Sequence, residues 1–213
     1  MVTFEAGSGT QNHLHGLPDD EILILASKSS ARQVMLRQAG VAFSVQVADV
    51  DEDALKTPGV NAVELAVELA KLKALAVSSY HGSAWVLGAD QTLAFDGGLV
   101  SKARSRDEAG SRLRAMRGQT HQLHSGAALA KGGRIVWSGV DTATLQMREF
   151  SDDFLEAYLA SEGDSLLACV GSYRIEGMGS QLFEAVSGDH FTVMGLPLWP
   201  VLAELRRVGV LLT

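Results

Sequence analysis

Apolar positions along this chain fall into short runs of strand size and stripes of helical spacing. Residues 22–25 (ILIL) form an apolar run of the size and composition of a buried strand. The next five residues, Ala26-Ser27-Lys28-Ser29-Ser30, are small or hydroxylated apart from one lysine. Ala31, Val34, Met35 and Leu36, with Arg32 and Arg37 among them, then predict an amphipathic helix that Gly40 stops. Val41, Phe43, Val45 and Val47 alternate with Ala42, Ser44 and Gln46, predicting a half-buried strand that runs into an acidic loop at 49–53. Asn61 is placed to cap a long helix, with Glu64 three residues on and an apolar stripe of Leu65, Leu69, Leu72 and Ala76. On that helix Lys71 and Lys73 lie about 160° apart, so they cannot both face one site.

Further along, residues 84–88 predict a buried strand that delivers Asp90 at its end. Residues 92–95 and 99–100 read as a hairpin about Asp96-Gly97-Gly98. Ser105 and Glu108 make a capping box for a helix ending at Gly118, and Ser151 caps another. Between them lie strands near 120–130 and 134–148, joined by Lys131-Gly132-Gly133. A glycine-rich loop, 171–179, leads into a strand at 182–186, and a final helix follows Pro197. Strands alternating with helices, plus hairpins, predict an α/β fold with a mixed twisted sheet and flanking helices. Residues 1–20 are rich in Gly, Ser, Thr, Asn and His without periodicity and read as a flexible tail. Residues 21–213 carry no repeat or linker and read as one domain.

Composition narrows the partners. With 46% hydrophobic residues and four prolines in 213 residues, the chain can bury a sizeable core. No apolar run approaches a membrane span, and the N-terminus lacks the regions of a signal peptide. A single cysteine, Cys169, excludes an internal disulfide and fits a reducing cytoplasm. The net charge of −7 argues against a nucleic-acid polymer as partner. A small polyanion would need a local cluster of cations or a metal ion. A homodimer is compatible with the sequence.

The strand–turn–helix unit at 22–36 offers free backbone N–H groups, hydroxyls and an arginine, a combination that attracts phosphate; an ordinary serine-capped corner would carry the same residues. Glu52 and Asp90, two carboxylates expected in loops, are the leading candidates for a hard divalent cation such as Mg²⁺. His121-x-x-His124 falls in a strand, where residues three apart face opposite ways, so it is a poor metal pair. Gly177-Met178-Gly179 lacks the spacing of a dinucleotide fingerprint, and no phosphate-binding P-loop motif is present. Cys169 reads as packing.

The stretch LILASKSSARQVML resembles the N-terminal signature of the Maf family of nucleoside triphosphate pyrophosphatases, usually LILAS-x-S-P-R-R-x-x-L-L. Four later blocks agree in order and spacing: Val50-Asp51-Glu52, Leu69 to Ala74, Leu87-Gly88-Ala89-Asp90-Gln91, and Gly171 to Pro197. The resemblance covers about residues 22–210. It implies two lobes around a central cleft, an ITPase-like arrangement, and a metal-dependent hydrolase using Mg²⁺, Mn²⁺ or Co²⁺. By position, Asp90 would be the proton acceptor, Lys73 and Lys102 the catalytic cations, and Glu52 with Asp90 the metal ligands. Ser27, Ala31, Arg32, Gln91 and Glu176 would contact substrate. The chain departs from the signature at Ser30 and Ala31, which replace Pro and Arg, and at Ser101 and Ala103, which flank Lys102 in place of Gly and Pro. Gln91 in place of Thr, and Glu176 in place of Gln, resemble the branch that favours 7-methyl-GTP over dTTP and UTP. Ala31 stands where that branch often has an aromatic residue for stacking on the base. A nucleotide-binding regulator of septum formation with little turnover, and a nucleotidyltransferase using the same phosphate chemistry, are the competing readings.

Overall fold

The computed structural model describes Gly16 and residues 22–57 and 59–213. The tail expected at 1–20 lies outside these apart from Gly16, whose N–H donates to Val210 O at 3.0 Å. The first strand, β1 (Leu23–Leu25), is wholly buried and pairs parallel with two neighbours. These are β2 (Ser44–Val45) on its outer side and β3 (Trp85–Phe95) on its inner side. Helix α1 (Ser30–Gln38) connects β1 to β2, and α2 (Ala62–Ser78) precedes β3. Beyond a tight turn at Asp96 and Gly97, both with positive φ, β4 (Gly98–Val100) folds back on the end of β3. After α3 (Arg106–Met116) come β5 (Thr120–Lys131) and β6 (Arg134–Met147), then α4 (Asp152–Glu162), β7 (Phe183–Ser187), α5 (His190–Val193) and α6 (Leu198–Arg207). The sheet order is β2-β1-β3-β5-β6-β7, with β4 beside β3: a mixed seven-stranded sheet, as expected. No described helix is long and apolar enough to cross a membrane.

Strands β3, β5 and β6 are long enough to serve two cores. At one end Leu23, Leu87 and Leu129 pack with Met35 and Leu36 of α1 and Val201 and Leu205 of α6. At the other end Leu93, Leu123 and Leu145 pack with Leu113 of α3 and Leu155 and Tyr158 of α4. Between the two cores, Asp90, Gly126 and Val140 face one another across the sheet. On the edge of β3 towards β1, pairing stops at Leu87 and resumes only at Leu93 with β4. That gap leaves Asp90 on an edge of β3 that has no strand partner.

Helix α2 lies flush on the sheet because glycines receive it. A Cβ at Gly88 would stand 2.2 Å from Ala70 O and 2.6 Å from Ala74 N. One at Gly126 would stand 2.3 Å from Ala66 O. Thr92 Oγ1 adds a hydrogen bond to Ala62 O at 2.7 Å.

Several expectations need correction. Residues 41–47 form only a two-residue edge strand: Val45 and Val47 are exposed, because among the described residues no strand pairs outside β2, and only Val41 is buried. On α1 the buried face holds Arg32, Met35 and Leu36, while Val34 is exposed. On α2 the buried stripe is Leu65, Ala66, Leu69, Ala70, Ala74 and Val77, so Leu72 and Ala76 sit only at its margin. Strand β3 does not end before Asp90; it runs on to Phe95, since β5 pairs with it throughout. Asp90 is therefore mid-strand, at the point where the other edge lacks a partner.

Overpacking a filled contact costs about 1–3 kcal/mol. Gly88→Ala and Gly126→Ala are each expected to lose at least that much in urea denaturation, with activity falling alongside because α2 is displaced. Wild-type midpoints in both variants would refute the close docking of α2.

Candidate active site

The corner between β1 and α1 is assembled by hydroxyls. Ser29 caps the helix, its side chain accepting from Arg32 N at 3.5 Å. Ser27, nearly inaccessible, accepts from Ser29 N at 3.3 Å and from Arg32 Nη1 at 3.0 Å. Arg32 reaches back from the first turn and donates through Nε to Gly195 O at 2.7 Å. Burial lowers its pKa, while the charges of Asp90 and Glu52 raise it; burial prevails. A buried guanidinium with part of its fork uncommitted, beside serine hydroxyls and a helix N-terminus, is suited to an anion.

Across the gap, Lys73 of α2 stands between two carboxylates. Its Nζ lies 2.7 Å from Glu52 and 2.5 Å from Asp90, both within hydrogen-bonding range. Lys71 points elsewhere and pairs with Glu68 on the surface, as the helical angle requires. Lys73 and Asp90 are largely buried, and Glu52, just before the 3-10 turn at Asp53–Leu55, is half-exposed. Burial would raise the pKa of Glu52, but the hydrogen bond and charge of Lys73, with Lys56 and Lys102, outweigh it and hold the carboxyl below its ordinary value. Lys102 follows β4 at the mouth of the gap. Lost hydration lowers its pKa; Arg32 and Lys28 lower it further, and Glu52 and Asp90 oppose them. The site thus gathers Lys28, Arg32, Lys73 and Lys102 against Glu52 and Asp90, a local excess of positive charge in a chain whose net charge is −7.

The remaining candidates occupy the rim and the wall. Ala31 is half-buried in the first turn of α1. Gln91, next to Asp90, points its amide into the protein, with Nε2 on Ser125 Oγ, Thr192 O and Val193 O at 3.0–3.1 Å. Glu176 is exposed in the 171–179 loop, 3.4 Å from Arg174 Nε. Cys169 is half-buried rather than core: burial raises its pKa, Glu176 raises it further, and Lys102 and Arg174 lower it. His121 and His124 serve separate structural contacts, with Tyr173 Oη at 2.6 Å and Thr142 Oγ1 at 2.8 Å. Sequence reasoning missed Lys28, Arg174 and the turn at Gly195. The glycine before Leu196-Pro197 was the available sign of that turn, and its φ of +101° shows why glycine is there.

Among the described residues no three His, Cys, Asp or Glu side chains converge as a metal cage. Two hard carboxylates sharing one ammonium do fit a cation such as Mg²⁺, which takes one or two protein carboxylates and completes its shell with substrate phosphate and water.

The family of Maf-like proteins matches residues 22–208 of the chain. A nucleoside triphosphate pyrophosphatase of Nitrobacter winogradskyi is 47% identical over 90% of this chain and 96% of its own. One of Maricaulis maris is 47% identical over 88% and 97%. A 7-methyl-GTP pyrophosphatase of Rhizobium meliloti is 40% identical over 89% and 98%.

A carboxylate with a depressed folded pKa stabilises the fold above its unfolded value, and that contribution disappears as the pH falls through the folded pKa. For Glu52 the loss therefore sets in below its ordinary value of 4.5. Melting temperature followed from neutral pH into this acid range should fall more steeply for wild type than for Glu52→Gln. Superimposable acid limbs would mean that the Glu52–Lys73 pair contributes nothing to the folded state.

Proposed function

The chain belongs to the family of Maf-like proteins, and on that premise we propose that it is a nucleoside triphosphate pyrophosphatase, releasing nucleoside monophosphate and pyrophosphate. The observation that carries this reading is Lys73 bridging Glu52 and Asp90 beside the Ser27–Arg32 corner, because it sets a proton-accepting carboxylate against a cation-lined anion site. In a mechanism built from these residues, Ser27, the amides at the start of α1, Arg32 and Lys102 hold the triphosphate. Asp90 accepts a proton from water as the water oxygen bonds to the α-phosphorus. The bond from that phosphorus to the bridging oxygen breaks, and pyrophosphate leaves with the electron pair. Lys73 holds the Asp90 carboxylate in place and offsets charge at the reacting phosphoryl group. A divalent cation held by Glu52 and Asp90 would supply Lewis acidity and screening of the phosphate charge. The single half-buried cysteine suits a cytoplasmic setting.

For the base, the reading favours guanine types, including 7-methyl-GTP. A carboxylate at 176 can accept from adjacent N1–H and amino donors of guanine, and its charge suits a methylated, cationic ring. Uracil and thymine present carbonyls that would repel it. Losing a charged hydrogen bond costs on the order of 1.5–3 kcal/mol, and less where the group is exposed as Glu176 is, so the selectivity is at most roughly ten- to a hundredfold.

Two measurements test the proposal. Asp90→Asn should fold and bind nucleotide while kcat drops by at least ~10². Undiminished turnover would remove Asp90 from the mechanism, and a wild-type protein that binds nucleotides without releasing pyrophosphate would favour the regulator. In a panel scored by kcat/KM, 7-methyl-GTP or GTP should exceed dTTP and UTP, and Glu176→Gln should narrow the difference. A wild-type preference for dTTP or UTP would sink the guanine assignment.

A further inference from the structure

The glycine-rich loop at 171–179 doubles back on itself. Gly177 N donates to Arg174 O at 3.2 Å, and a Cβ at Gly179 would stand only 2.4 Å from that carbonyl oxygen. Glu176 therefore lies at the tip of a closed turn whose root is residues 170–173. Two contacts hold this root. The ring of Tyr173 is seated in the core, with Oη 2.6 Å from His121 Nε2 and its centre 4.8 Å from that of Phe183, edge to face. On the backbone side, Arg112 of α3 donates through Nη1 to Val170 O at 3.0 Å and to Ser172 Oγ at 3.4 Å. Ser172 is fully buried with φ +58°, a left-handed conformation that is costly for a residue with a side chain and persists where neighbours enforce it. Its N–H closes a turn on Cys169 O at 3.1 Å.

Arg112 is an unusual residue for its place. It shares a face of α3 with the buried Ala109, Leu113 and Met116, and only 11% of its side chain is exposed. Taking a guanidinium out of water is costly unless fixed acceptors receive its hydrogens, and here two belong to the loop root. Its other nitrogen, Nη2, lies 3.2 Å from Glu108 Oε1, and Glu108 Oε2 accepts from Arg104 N at 2.8 Å, two residues beyond Lys102. We propose that Arg112 is a positioning residue for base selection: it fixes the root of the 171–179 loop and so the place of Glu176, while Glu108 ties that support to the backbone beyond Lys102. Arg112 acts through the loop and not on the substrate. A tip four residues from its root magnifies a small shift there. A displaced carboxylate loses discrimination between bases, whereas phosphate held by Ser27 and Arg32, on another element, is untouched.

This inference rests on the reading of Glu176 as the group that meets the base, and the experiment separates the two. Arg112→Met keeps much of the stem but removes the donors. The quantities compared are kcat/KM for GTP, 7-methyl-GTP, UTP and dTTP, together with the inhibition constant of inorganic pyrophosphate, a base-free product. The expected result is that the spread between the best and the worst nucleotide contracts by at least about threefold while the pyrophosphate constant stays unchanged. In a Glu176→Gln background the same substitution should contract the spread little further, because the carboxylate it places is gone. An undiminished spread in folded Arg112→Met would overturn the inference. So would a uniform loss for all four nucleotides matched by weaker pyrophosphate binding, an equal contraction in both backgrounds, or a wild type with no spread at all. Should Arg112→Met fail to fold, Ser172→Gly removes the hydroxyl that Arg112 holds, and glycine is at ease at φ +58°. It should narrow the spread at unaltered pyrophosphate binding, and an unchanged spread would again overturn the inference. A wild type that favours UTP or dTTP sinks the guanine assignment alone, and contraction of its spread in Arg112→Met but not in the Glu176→Gln background leaves the positioning role standing. If wild type cleaves none of the four, the pyrophosphatase reading fails; the spread of their dissociation constants then decides, its contraction supporting the positioning role and its persistence overturning it.

Discussion

The close approach of α2 to the sheet is the constraint on which the site depends. Gly88 and Gly126 leave room for the helix backbone at Ala66, Ala70 and Ala74, so the helix packs through its main chain rather than on long side chains. Lys73 lies within that packed stretch, between Ala70 and Ala74, and its Nζ reaches Asp90 at 2.5 Å. A larger separation would leave a buried carboxylate facing an empty space, an arrangement that costs several kcal/mol. The apolar contact and the charge pair thus enforce each other.

The second condition is the interrupted edge of β3. Strand β1 leaves the sheet after Leu25 and β4 joins at Leu93, so a stretch of β3 has sheet on only one side. Into this opening project the Ser27–Arg32 corner from one core, Lys102 from the hairpin, and Lys73 from above. Because β3 runs unbroken through both cores, the carboxylate at its middle is held by continuous pairing with β5, while the groups around it come from separate elements. Rigid placement of the carboxylate and converging placement of the cations is an arrangement that favours charge stabilisation without reorganisation.

What could be read from the sequence was mostly local. The caps at Asn61, Ser105 and Ser151 depend on residues two or three apart, and each is present. The choice between Lys71 and Lys73 followed from helical angle together with the matching block. The continuity of β3 was hidden because the glycine at 88 and the acid at 90 look like punctuation, whereas the first admits α2 and the second lines the cleft. Exposure of Val45 and Val47 could not be foreseen either: alternation reveals a strand's two faces, not whether anything covers them. The contact of Arg32 with Gly195 O spans 163 positions, and no local pattern encodes it.

The charge balance of the molecule bears on how such a site operates. An acidic chain repels a triphosphate at long range, yet at physiological ionic strength this repulsion fades over about 8 Å. Within the cleft the nearest charges dominate, and there Lys28, Arg32, Lys73 and Lys102 outweigh Glu52 and Asp90. The excess is small because Lys73 is shared between both acids. Strong, unbalanced cations would hold pyrophosphate as firmly as substrate; a lysine already engaged with two carboxylates contributes less to a departing anion than to charge that builds up next to Asp90. A partly neutralised cluster therefore suits turnover better than a fully basic one, since binding energy shared equally by substrate and product does nothing for the rate.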